Sequence, residues 1–233
     1  MKRLLHLSVI LMAVAAVGSA TPTTLCSTAN TLANLIAMDA TGGCISQDKV
    51  FSNFVYTGGG SITAANVAVQ LVAILGPNDV HGWIFSPATG AAWTTPFTLS
   101  YDITVNAANP NVSIIGSADQ INTTIRPNRI IVNDVQTGLA VGDVNPGTLT
   151  MTGLSNAAET DSTVSPFTDY SIHTVSTLSF GPTGSAPRAG GLLSFEQNWY
   201  EQNSPETPEP VTFVLIGSGL IGLTFLRRRS QKS

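Results

Sequence analysis

The chain is poor in charge, in lysine and in cysteine, and each shortage narrows what it can be. Only 10% of its 233 residues are charged. Between residues 21 and 210 the basic side chains are Lys49, Arg126, Arg129 and Arg188, against all fourteen acidic ones. Such an acidic segment repels phosphate backbones, so nucleic acid is excluded as a partner. Two cysteines without a nearby histidine are too few for a structural zinc site. No Gly-x-Ser-x-Gly elbow is present. No stretch carries the Asp-x-Asp-x-Asp-Gly pattern of a calcium loop. No repeat of fixed period is visible, and amphipathic helix is almost missing. The surplus lies in Thr, Ser, Asn and Gly, which suits an extracellular β protein better than a cytosolic enzyme.

The ends differ in character from the middle. Residues 1–20 read as a secretory signal: Lys2 and Arg3 open it, residues 4–17 are almost wholly apolar, and Gly18-Ser19-Ala20 offers small residues for cleavage after Ala20. Cys26 and Cys44 both survive that cleavage. An exported chain meets an oxidising compartment, so the two are expected to pair, closing a short loop worth roughly 3 kcal/mol.

Periodicity then sets the fold class. Leu25, Ala29, Leu32, Leu35 and Ile36 recur at helical spacing, with Ser27 or Thr28 as cap and Gly42-Gly43 as stop. After that the period changes to two. Strands are predicted over 49–57, 66–75, 81–86, 97–105, 111–115, 129–135, 148–154, 171–180 and 192–199, separated by Pro and Gly turns. Residues 156–166 read as a solvated loop. The expected fold is all-β: an antiparallel β-sandwich or jelly-roll-like domain over 21–201 with one short N-terminal helix.

Residues 202–210 form a polar linker kept extended by its prolines. Residues 211–226 carry no charge and would span roughly 24 Å as a helix, against a bilayer core of about 30 Å. Arg227, Arg228 and Arg229 follow at once, in the basic tail 227–233. The expected reading is a transmembrane helix with its arginines cytoplasmic and the acidic domain outside.

Pro208-Glu209-Pro210, then Gly217, Gly219-Leu220, Gly222-Leu223 and Arg227-Arg228-Arg229, resemble the PEP-CTERM sorting signal in order, spacing and terminal position. The same tail is also labelled the C-terminal domain of ice-binding proteins; it is an address and touches no ice. Asp48-Lys49-x-Phe51-Ser52-Asn53-Phe54-x-Tyr56 is similar to a segment of secreted PEP-CTERM proteins, and Leu193-Ser194-Phe195-Glu196-Gln197 resembles their last strand. The resemblance implies recognition by an exosortase, a membrane-embedded transpeptidase-like enzyme. Pro208, Glu209 and Pro210 would be the sorting residues, and delivery would be to the cell surface or extracellular polysaccharide.

Chemistry in the domain is sparse. His81 and His173 remain after signal cleavage. Asp79-Val80-His81 could ligate a metal, but a lone histidine between turn and strand reads as a surface residue. A Ser-His-Asp triad is arithmetically possible with either histidine. Asp102, Asp119, Asp134, Asp143, Asp161 and Asp169 are scattered, so a calcium site would have to assemble in space. Trp83, Trp93, Trp199, Tyr56, Tyr101 and Tyr170 are either core or a sugar-stacking platform. The threonines follow no Thr-x-Thr array. The expectation is a non-enzymatic surface or matrix protein with no catalytic residue, no metal and no cofactor. A polysaccharide-binding module is the alternative, and an extracellular hydrolase the more distant one.

Overall fold

The computed structural model describes residues 22–75, 79–88, 90–106, 112–123, 130–139, 144, 146–153, 159–163, 169–180 and 191–203. The expected signal (1–20), sorting motif (208–210), membrane helix (211–226) and arginine stop (227–229) lie outside these residues. Among the described residues no helix is long and apolar enough to cross a membrane.

Eleven strands occur among the described residues: β1 (Cys44–Ser46), β2 (Lys49–Gly58), β3 (Val67–Ile74), β4 (Val80–Pro87), β5 (Phe97–Val105), β6 (Val112–Thr123), β7 (Ile130–Gly138), β8 (Gly147–Gly153), β9 (Glu159–Thr163), β10 (Ser171–Phe180) and β11 (Leu192–Asn203). They form two antiparallel sheets, in the orders β1-β2-β5-β10-β7-β8 and β3-β4-β11-β6-β9. From β4 onward the pairing is nested. β4 pairs with β11, β5 with β10, β6 with β9 and β7 with β8, as if one long hairpin had been rolled up. Lateral pairings of β10 with β7 and of β11 with β6 join these pairs into sheets. This is the connectivity of a jelly roll. β3 extends one sheet beyond β4, and the β1–β2 hairpin extends the other beyond β5.

The local reasons are legible. β5 alternates perfectly, burying Phe97, Leu99, Tyr101, Ile103 and Val105 and turning Thr98, Ser100, Asp102 and Thr104 outward. Facing side chains from the other sheet close over them: Phe85 packs on Tyr101, and Trp83 on Phe51 and Phe54. Burying rings of this size is the main favourable contribution to the fold.

The expected short helix is present but starts later. α1 (Leu32–Met38) is capped by Thr31, not Ser27 or Thr28, because Thr31 and Asn34 form a reciprocal capping box. Residues 26–28 make a separate 3-10 turn, which fixes Cys26. Cys26 and Cys44 are bonded, with Cα atoms 4.9 Å apart, and no cysteine is free. The disulfide ties this N-terminal turn to β1 at the sandwich edge.

Two strand expectations are also corrected. Part of the stretch read as a solvated loop, 156–166, is strand β9, paired to β6 from Ser117↔Thr163 to Ile121↔Glu159. Its Glu-Thr-Asp-Ser-Thr sequence has no apolar alternation, so no periodicity marks it; β6 supplies the ladder. The strand expected at 111–115 runs to Thr123 instead. Gly116, Ser117, Asp119 and Thr123 are buried there without being apolar, which hid the strand from a hydrophobicity reading.

Candidate functional site

Three polar arrangements stand out. The first is a buried ionic cluster at one end of the sandwich. Asp48 comes from the two-residue β1–β2 turn, Lys49 opens β2, His81 lies near the start of β4 and Glu201 near the end of β11. Lys49 and His81 have no solvent exposure, and Glu201 is 2% exposed. The Lys49 ammonium donates to Asp48 Oδ1 at 2.8 Å and to Glu201 Oε2. His81 Nε2 lies 3.3 Å from Glu201 Oε2 and 3.7 Å from Asp48 Oδ1.

His81 was expected at the surface. It is buried because β4 begins at Val80, so the inward positions are 81, 83 and 85, shared with Trp83 and Phe85. Burial alone would raise the Glu201 pKa. The hydrogen bonding and charge of His81 and Lys49 outweigh it and hold the carboxyl at about 2. Asp48, His81 and Glu201 each present one ligand atom within 4.8 Å of the others, a spacing that could hold a metal ion. Lys49 takes the cation's place: its ammonium already bridges the two carboxylates. The arrangement works as an ionic clamp between the sheets and fits a metal poorly.

The second arrangement is a polar layer inside the sandwich. Asp134 on β7 accepts from Thr174 Oγ1 at 2.5 Å, Gln136 Nε2 at 2.7 Å and Ser176 Oγ at 2.9 Å. Ser117 on β6 donates across the interface to Gln136 Oε1 at 2.8 Å, and Gln197 on β11 donates to Thr174 at 3.1 Å. Trp199 Nε1 donates to the Tyr101 hydroxyl at 3.1 Å. Burial pushes the Tyr101 pKa well above its ordinary value; the Trp199 hydrogen bond opposes this, and the charges of Asp134 and Asp119 add to it. Tyr101 therefore stays a neutral hydroxyl. Saturated in this way, Asp134 can remain buried, and the network fixes the sheets in register.

The third lies on the outer face of the β2-β5-β10-β7-β8 sheet. His173 Nδ1 is 2.5 Å from Asp102 Oδ1, and Asn53 Nδ2 donates to Asp102 Oδ2 at 2.6 Å. This orients an imidazole in a partly exposed position, but among the described residues no serine hydroxyl bonds it, so the Ser-His-Asp triad is not assembled. Beside it, pairing aligns Thr57, Thr98, Thr177, Asn133 and Thr150 in one row across five strands. The next row holds Val55, Ser100, Val175, Val135 and Thr148. Neighbours in a row recur at roughly 4.8 Å. Linear motif searches miss such an array because its members come from different strands.

The remaining site residues are dispersed. Of the two readings of the aromatics, core holds for Trp83, Trp93, Trp199 and Tyr101, which are buried; only Tyr170 of the six is well exposed. The platform does not form, because period-two alternation points these rings inward. Asp102 lies outside one sheet while Asp119 and Asp134 lie within the sandwich. Asp169 accepts from the Val144 amide, so these aspartates do not gather into one calcium site. Asp143 and the side chain of Asp161 lie outside the described residues. Sequence reasoning missed Asp48, Lys49 and Glu201 as partners of His81. A lone lysine in an acidic domain was the available signal.

No family model and no curated relative matches the chain. Among solved structures it is similar to the enzymatically active domain of tailspike protein 4 of bacteriophage CBA120, at 10% identity and a TM-score of 0.28, over 65% of this chain and 19% of that one. It is also similar to the family 32 carbohydrate-binding module from C. perfringens NanJ, solved in complex with galactose, at 12% identity and a TM-score of 0.22, over 63% of this chain and 99% of that one. The chain thus spans under a fifth of the tailspike chain. Likeness at this level leaves fold and ligand to be argued from this chain's own strands and side chains.

Proposed function

We propose that this is an exported, non-enzymatic protein of the bacterial cell surface or extracellular matrix. It passes through the membrane behind a signal ending at Ala20. It is held briefly by the 211–226 helix and its arginine stop, and is released by an exosortase-like enzyme that reads Pro208, Glu209 and Pro210. The observation that carries the export half is the closed Cys26–Cys44 bond with no cysteine left free. A disulfide placed to staple a β-sandwich belongs to an oxidising compartment. The non-enzymatic half rests on how the polar groups are spent. The buried carboxylates of Glu201 and Asp134 are engaged by Lys49 and by Thr174, Ser176 and Gln136, which builds structure and leaves them unavailable to a substrate. Replacing Pro208, Glu209 and Pro210 with alanine is expected to leave the protein membrane-held with its tail intact; unchanged processing would count against the sorting role.

A second reading, polysaccharide binding, is favoured by one observation: the Thr57-Thr98-Thr177-Asn133-Thr150 row. Thr150 Oγ1 donates to Asn133 Oδ1 at 3.0 Å within the row, and Thr57, Thr98 and Thr177 set hydroxyls and methyl groups in line with them, which suits an uncharged, extended polymer. Binding to neutral polysaccharides on a glycan array, abolished by Thr98→Arg with Thr177→Arg, would support it. No binding, or binding indifferent to those changes, would remove it.

A further inference from the structure

The end of the sandwich that holds the close of β11 carries the most exposed large apolar side chain among the described residues. Leu75 is 73% exposed, and Ile74 beside it is 57% exposed. Register places them at the exit: Ile74 pairs with Val80, and Val80 with Tyr200 on β11. The Glu201 amide donates to the Asp79 carbonyl at 3.0 Å, binding the start of β4 to the end of β11. The described chain ends three residues after Tyr200, at Asn203. Seven residues, 204–210, separate it from the uncharged run 211–226. Fully extended, seven residues reach at most about 24 Å. When 211–226 lies in a bilayer, Asn203 is therefore held within that distance of the lipid surface, and the Ile74–Leu75 end, two strands away at the level of Tyr200, within roughly a further 15 Å.

We infer that this end is a membrane-contact surface. Ile74 and Leu75 insert at the boundary between headgroups and acyl chains, flanked by Val80 and the partly buried Tyr200, an aromatic suited to that depth. The inference rests on the membrane reading of the tail. The chemistry is apolar, not electrostatic. Asp79 is adjacent and the domain is acidic, so anionic headgroups repel this end, whereas on zwitterionic lipid the contact is insensitive to salt. For the sorting step the consequence is orientation: a domain seated on the bilayer holds the Pro208-Glu209-Pro210 linker close to the membrane, where an integral-membrane enzyme works.

The test uses the mature chain with its tail, reconstituted in phosphatidylcholine vesicles containing nitroxide-labelled lipid. Cys26 and Cys44 are bonded to each other, so single cysteines can be labelled with a polarity-sensitive fluorophore at Leu75→Cys, at Val135→Cys on the outer sheet face, and at Phe213→Cys in the tail. The contact predicts quenching at 213 and at 75, at least threefold stronger at 75 than at 135, and unchanged in high salt. Quenching at 213 with 75 no different from 135 would overturn the contact and leave the tail reading standing. No quenching at 213 would overturn the tail reading, and the contact with it unless 75 were still quenched.

Discussion

Lys49 and Glu201 meet in the interior from opposite sheets, 152 positions apart in the chain. Lys49 opens β2 beside the β1–β2 turn, and Glu201 sits two residues before β11 ends. Their contact therefore pins the strand that leads into the linker. Any pull on the tail is transmitted first to β11, and the clamp fastens that strand to β2.

Removing one partner should be far more damaging than removing both. Lys49→Met leaves the buried Glu201 carboxylate facing the partly buried Asp48, and Glu201→Leu leaves a buried ammonium with only Asp48. Each is expected to cost about 3–5 kcal/mol in urea unfolding. The double variant should cost clearly less than the sum, with a coupling of at least about 1 kcal/mol. Additive losses would show that the two do not act as a pair.

Acid should weaken the clamp in a defined window. The Glu201 carboxyl titrates at about 2 in the fold against an ordinary 4.5. Because its folded pKa is depressed, its contribution is fully present above 4.5 and is lost as pH falls from there towards 2. The shift corresponds to at most roughly 3 kcal/mol. Unfolding midpoints at pH 6, 4 and 2.5 should fall in that order, and Glu201→Gln should flatten this part of the profile. An unchanged slope in the variant would assign the acid sensitivity elsewhere.

The β1–β2 turn holds a local strain that can be relieved. Gln47 has φ 56, a left-handed conformation in a two-residue hairpin loop where glycine is favoured. Gln47→Gly is expected to raise stability by about 1 kcal/mol. A loss would mean that the Gln47 side chain contributes more than its backbone costs. Asn53, at φ 57, is different: it sits at the β2 bulge, its amide held by the Asp39 carboxylate at 2.7 Å, and asparagine tolerates this conformation.

Breaking the staple should be measurable apart from the core. Cys26→Ser with Cys44→Ser is expected to lower stability by about 3 kcal/mol, with the sheets otherwise intact by circular dichroism. A loss below about 1 kcal/mol would mean that the N-terminal turn is held by Leu32 and Leu35 packing alone.

Much of this fold is written in period-two alternation, and the parts that are not show why. β5 is legible residue by residue because Phe97, Leu99, Tyr101, Ile103 and Val105 all face one core. β6 and β9 are not, since β6 buries Ser117 and Asp119 while β9 is polar throughout; both depend on partners distant in sequence. The disulfide follows from compartment chemistry and needs no geometry. His81 was misplaced because exposure was argued from its turn neighbours, whereas strand register decides it. Lys49 is the one lysine between residues 21 and 201, a signal left unused, and nothing local names Glu201, some 150 residues on. The threonine row is invisible for the same reason: strand order, not sequence order, creates it.

The most direct test of the export-and-sorting account is the intact mass of the protein recovered from the surface of its own cells, before and after reduction. The account predicts a chain that has lost residues 1–20 and everything beyond the Pro208-Glu209-Pro210 region, and that gains two hydrogens on reduction. A chain that still runs to Ser233, or that carries two free thiols, would contradict it.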